Sequence, residues 1–175
     1  QASLAADGLC NLDPPPVLSV FDELRTIELG DDQIVLRFDN TGDRSERVIH
    51  MIAAHPANVQ PSLDGHSIGR WEGETLVIET IGLPEADRVR LVSNLVVTNN
   101  AKVIERYTRL SENELLYQYT VEDPAIYTAP WSAEYSLYRT DQRMFESSCH
   151  EGNYSLANIL KGGRAVDRRL ADAQR

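Results

Sequence analysis

Apolar and polar residues alternate with a period of two in short runs along most of the chain. The clearest run is 114–122, where Leu115, Tyr117, Tyr119 and Val121 fall on one side and Leu116, Gln118, Thr120 and Glu122 on the other. That period is the mark of a β-strand with one covered face, and the set starting at Leu115 is the expected core or cavity face. The same reading predicts strands over 25–29, 33–39, 47–52, 75–81, 89–98, 102–110, 131–139 and 143–149. Between them stand Gly30-Asp31-Asp32, Glu72-Gly73-Glu74, Asn99-Asn100, Ser111-Glu112-Asn113 and Thr140-Asp141-Gln142, residues that tolerate tight or left-handed turns. Strands in sequence joined by such turns make an antiparallel meander.

The pattern changes at both ends. Residues 1–16 carry no periodic apolar positions and finish in Asp13-Pro14-Pro15-Pro16, an extended arm rather than a helix. Near the other end Asn153 can cap a helix bearing Leu156, Ile159 and Leu160, with Gly162-Gly163 as its stop and a second, exposed helix over 164–173. The expected organisation is an arm (1–16), an all-β antiparallel domain (17–152) and a helical segment packed on it (153–175). Closure removes exposed strand edges, so the expected fold is a lipocalin-like closed or nearly closed β-barrel with a short C-terminal helix. A two-sheet sandwich is the main competitor.

At 175 residues the chain has room for one hydrophobic core. Its formal charge of -10 opposes phosphate backbones, so nucleic acid is not an expected partner. No stretch approaches the ~20 apolar residues of a spanning helix, so no membrane insertion is expected. Gln1 in place of Met, followed by Ala2, Ser3, Ala5 and Ala6, suits a chain whose signal peptide has been removed, and points to a periplasmic or secreted bacterial protein. Cys10 and Cys149 are too few for a zinc cage. As a disulfide they agree with export, and closing so long a loop stabilises by about 4 kcal/mol on the chain-entropy model; two separate thiols are the alternative.

The segment richest in chemistry is His55-Pro56 followed by Gly65-His66-Ser67-Ile68-Gly69-Arg70-Trp71-Glu72-Gly73-Glu74-Thr75-Leu76-Val77-Ile78-Glu79-Thr80. With the later Ile104-Glu105-Arg106-Tyr107, Asp123-Pro124 through Pro130-Trp131, and Cys149-His150-Glu151-Gly152-Asn153-Tyr154, it resembles a group of uncharacterised bacterial proteins, many of exported character, that share a GHSIGRWEG(D/E)TLV segment. The resemblance spans 47–160 and implies membership of that group, with no activity to carry over. Asn99-Asn100-Ala101-Lys102 is longer than the group's usual connection.

Gly65 and Gly69 flank His66-Ser67, so the imidazole is expected to project from a loop, where it suits general acid or base work or else holds an unusual turn closed. His50, His55, His66 and His150 show no metal-ligand spacing, and no metal is expected. Glu105 and Arg106 alternate, so one points inward and needs a partner, with Arg70 and Arg37 as candidates. Such a pair is structural in most proteins and catalytic beside a cavity. Tyr107, Tyr117, Tyr119, Tyr127, Tyr135, Tyr138, Trp71 and Trp131 either pack the core or line a pocket for a flat ligand. Tyr127 and Trp131 lie on a connection stiffened by Asp123-Pro124 and Pro130, a candidate rim.

Nucleophile-elbow, phosphate-loop, dinucleotide and CxxC motifs are lacking. The leading expectation is a cofactor-free lyase or isomerase that moves protons on a hydrophobic, aromatic or polycyclic small molecule. His66, Glu105, Arg70 and Tyr119 are the catalytic candidates, and Trp71, Arg106, Tyr117, Tyr127, Trp131 and His50 the ligand-binding ones. The alternative is a non-catalytic carrier or sensor of the same ligand. A homo-oligomer is compatible with either.

Overall fold

A computed structural model describes residues 24–38, 46–62, 64–84, 97–141 and 154–173. Among the described residues eight strands form one sheet in sequence order: β1 (Leu24–Leu29), β2 (Gln33–Phe38), β3 (Glu46–His50), β4 (His66–Glu72), β5 (Thr75–Ile81), β6 (Lys102–Arg109), β7 (Glu114–Glu122) and β8 (Trp131–Tyr138). The described residues are mainly β, a mostly antiparallel meander curled into a half-barrel, followed by one helix, α1 (Ser155–Ala173). Disposition of the Cys10 and Cys149 pair, His150, the arm 1–16 and the strand expected over 143–149 lies outside the described residues.

Curvature follows from which side chains share a core. Ile34, Leu36 and Phe38 of β2 and Ile49 of β3 pack in one cluster with Leu76 and Ile78 of β5, Tyr107 of β6 and Tyr117 of β7. Leu24, Ile27 and Leu137, from the two outer strands, close onto the same cluster. A flat sheet of this order could not bring β2 to β7; the right-handed twist and alternate inward side chains curl it. A second cluster, Leu83, Val97, Ala101, Val103 and Val121 with Tyr119, Tyr127 and Trp131 against it, fills the end where β7 finishes.

Four expectations are corrected. The segment from His66 to Glu72 is strand β4, not a loop. Gly65 does turn the chain, at φ 64°, but Gly69 serves packing: a Cβ there would sit 2.9 Å from both Ile49 Cγ2 and Met51 Sδ. Inserting β4 makes β3 and β4 parallel, through Ile49↔Ser67 and His50↔Ile68, the one departure from the antiparallel pattern. The expected strand over 89–98 is not continued at its described end, where Val97 and Thr98 lie outside any strand. Helix α1 runs unbroken through Gly162 and Gly163. Glycine weakens a helix by about 1 kcal/mol relative to alanine and ends it only by adopting a left-handed conformation, which neither residue does. Ile159 and Leu160, expected to dock on the sheet, are exposed, and so are Val166 and Leu170 in the part expected to be exposed.

Candidate functional site

The inward faces of β3 to β7 meet at a buried polar network. Arg47, on β3, donates from Nη1 to Glu105 Oε1 at 3.1 Å and from Nη2 to Glu105 Oε2, a two-pronged pair with its carboxylate 1% exposed. The same guanidinium reaches Ser67 Oγ on β4 (3.2 and 3.1 Å) and Thr80 Oγ1 on β5 (2.8 Å). Tyr117 on β7 donates to Glu105 Oε1 at 2.8 Å. Each carboxylate oxygen is therefore satisfied, which is what lets a buried ion pair persist. Burial pulls the Arg47 pKa down, but the adjacent Glu105 charge outweighs it and holds the guanidinium firmly charged. Burial, then the Glu105 charge, pushes the Tyr117 phenol well above its ordinary range and keeps it a neutral donor.

Glu105 is thus the inward residue of its strand, as alternation requires, but Arg47 holds it and neither Arg70 nor Arg37 does. Arg70 is exposed and pairs with Glu72 at 2.7 Å, and Arg106 reaches the same Glu72 at 2.9 Å from the outer face. Arg37 pairs with Glu28 at 2.6 Å and with Glu46, also outside. The expected quartet is divided between two faces: Glu105 and Tyr119 face inward, and Arg70 and His66 outward.

His66 opens β4 within a cluster absent from sequence spacing. Its ring stacks on that of His50 (centroids 5.0 Å, 18° between planes) and stands edge-on to His55 (5.0 Å, 68°). His55 and His66 share a hydrogen between their Nδ1 atoms at 2.8 Å, and His55 Nε2 faces Glu79 Oε1 at 3.5 Å. An ionised carboxylate only accepts. The His55 tautomer that suits Glu79 is the one protonated on Nε2; in it His55 Nδ1 accepts and His66 Nδ1 donates. Burial lowers the His55 pKa, with Glu79 opposing; burial and then the His55 and His50 rings lower that of His66. Among the described residues no group of three or more His, Cys, Asp or Glu is arranged to hold a metal ion.

A cavity of about 970 Å³ opens between β1 and β8 at the end of the half-barrel carrying the β4–β5 and β6–β7 turns. Its wall is largely apolar and aromatic: Leu24, Ile27, Leu76, Tyr107, Leu115, Tyr135 and Leu137, with Trp71 and Tyr138 at the exposed edge. Burial raises the pKa of Tyr107 and Tyr135, so both phenols stay neutral. Around the mouth stand Glu74, Glu112 and Glu114 with Arg109 and Arg139. Of the ten expected site residues only Trp71 lines this cavity. Tyr117 lies behind Tyr107, rings 4.7 Å apart, and Tyr119 continues the aromatic row toward Trp131 (5.7 Å). Tyr127 and Trp131, 5.8 Å apart, pack on the second cluster at the other end, away from the mouth.

Asp123 explains why that far connection is rigid. Asp123 is only 2% exposed, and its carboxylate accepts from Thr98 N (2.6 Å), Thr98 Oγ1 (3.0 Å) and Ala125 N (3.2 Å). The Asp-Pro segment pins two loops together and is structural. Ser67 is hidden because period-two reading places no strand at 66–72; Arg47 and Thr80 lie in expected strands, but without β4 between them their shared inward face is not visible. Comparison with known proteins yields no matching family model, curated protein or solved structure.

Proposed function

We propose that the protein binds a hydrophobic small molecule, aromatic or polycyclic, in the cavity between β1 and β8, as a carrier or sensor. The observation that carries this reading is the cavity itself. At about 970 Å³ it has the size of drug-scale ligand sites, of ~300–1,000 Å³, and the expected composition of apolar wall, aromatic edge and few polar groups. Leu29, Trp71, Tyr135 and Tyr138 are large side chains exposed along it, an apolar surface that a bound ligand would cover. The mouth carries both signs of charge, which suits a neutral ligand.

The carrier reading is favoured over a lyase or isomerase because His66 and Glu105 do not line this cavity, and Glu105 is fully engaged by Arg47 and Tyr117. The test is to incubate a pooled library of hydrophobic and aromatic metabolites with the wild type, Leu29→Trp and His66→Ala, then pass each through a desalting column and identify what is retained by mass spectrometry. Leu29 lies on the edge strand β1, pairs with Ile34 on the inward face and lines the cavity while itself exposed, so tryptophan there occupies the site without entering the core. Retention of the same unaltered compounds by wild type and His66→Ala, and their loss from Leu29→Trp, is expected. A compound consumed by the wild type but not by His66→Ala would return catalysis to the lead.

A further inference from the structure

The histidine cluster sits where the sheet has its shortest pairing. β3 and β4 meet through two register pairs, and His50 and His66 lie at that seam, on the outer face. The connection between these strands is tied down at both ends. At one end Met51 N donates to Asp32 O (2.9 Å). At the other Ser62 N donates to Gly82 O (3.0 Å), and Val59 fits over Gly82, where a Cβ would come within 2.5 Å of Val59 Cγ1. Between Met51 and Val59 every residue is exposed except His55. His55 is therefore the single fastener of the middle of this strap, through the Nδ1 to Nδ1 hydrogen bond with His66 and the approach to Glu79.

That fastening depends on protonation. With both rings neutral, one Nδ1 donates and the other accepts. A first proton leaves one donor and one acceptor in place; a second puts two N–H groups face to face at 2.8 Å and two positive charges in the pair, and the bond fails. The surroundings resist the second proton on the His66 side, where burial and then the His55 and His50 rings oppose it, and favour it on the His55 side, where Glu79 works against burial; Lys102, paired with Glu122 at 2.7 Å, in turn acts on Glu79 from β6.

We propose that this cluster is an acid-sensitive clasp, holding the β3–β4 connection against the outer face at neutral pH and releasing its middle on acidification. Above the ordinary histidine value of about 6.5 both rings are neutral and the clasp is closed; it opens as pH falls through the lower values the rings have in the folded chain. The β3–β4 seam would survive release, because Arg47 still bridges to Ser67 inside.

Limited digestion with a nonspecific serine protease tests this. Cleavage within 52–58 of the whole chain, mapped by mass spectrometry and divided by cleavage of a free peptide of that sequence at the same pH, is followed at pH 7.5 and 5.5. For the wild type the ratio should rise severalfold between pH 7.5 and 5.5, because release begins on the acid side of the ordinary histidine value. His66→Phe keeps a ring against His50 but offers no nitrogen to His55, so its ratio should already be high at pH 7.5 and should not change with pH. Amide exchange of β6 and β7 in the same samples reports whether the fold is intact. A wild-type ratio equal at the two pH values, a pH effect that persists in His66→Phe, or loss of protection in β6 and β7 together with the loop would each overturn the clasp.

Discussion

Glu105 shows what one residue can ask of a fold. Taking a carboxylate out of water costs several kcal/mol, and it is accommodated here because Arg47, Tyr117 and the strands carrying them converge on it. Glu105→Gln should therefore lower unfolding stability by about 3–5 kcal/mol, since the Arg47 guanidinium is left buried and unpaired. Tyr117→Phe, losing one hydrogen bond to a charged group, should cost about 1.5–3 kcal/mol. Urea unfolding at pH 7.5 measures both, and the predicted order reverses if Glu105 is not the hub. The inward side of Glu105 was legible from alternation with Arg106; its partner was not, because Arg47 is 58 positions away and reaches it across a seam that no local pattern announces. The histidines behave likewise. Their lowered folded values make the unfolded chain bind more protons as pH drops below about 6.5, so stability is full above that point and falls as pH passes through the folded values. Urea midpoints at pH 7.5 and 5.5 should differ in the wild type and differ less in His66→Phe.

Among the elements, β5 and β7 were read to the residue and β1, β2, β3, β6 and β8 to within two, because each alternates cleanly between turn residues. β4 was missed for a physical reason: its inward positions are Ser67, Gly69 and Trp71, a hydroxyl, a vacancy and a ring at the cavity edge, so no apolar period exists to be seen. Gly69 is the test of this strand. Gly69→Ala places a methyl 2.9 Å from Ile49 and Met51 and should cost about 1–3 kcal/mol by overpacking. Gly73, at φ 62° with nothing within 4 Å of its Cβ position, should accept Asn at under about 1 kcal/mol, because Asn tolerates the left-handed region. Thermal or urea unfolding of the two variants decides between a packing glycine and a turn glycine; equal costs would contradict the assignment. The helix was likewise legible in its apolar spacing and misjudged at its glycines, which lower helix stability without setting its end.

At the scale of the molecule, alternation specifies a covered face but not how far the sheet curls or where it stays open. That depends on the meeting of β1, β2, β7 and β8 side chains, contacts distant in sequence, and the opening they leave is the cavity. The expected aromatic rim at Tyr127 and Trp131 fell at the far end for the same reason: the strand pattern shows which side a ring takes, not which end of the half-barrel is filled. The central claim is that the cavity binds a neutral apolar ligand, and it is tested most directly by titration with N-phenyl-1-naphthylamine, a neutral aromatic probe that brightens in apolar surroundings. The account predicts saturable brightening at one probe per chain, an affinity at least about tenfold weaker in Leu29→Trp (about 1.4 kcal/mol) and unchanged in His66→Ala. No saturable binding by the wild type, or equal binding by Leu29→Trp, would contradict it.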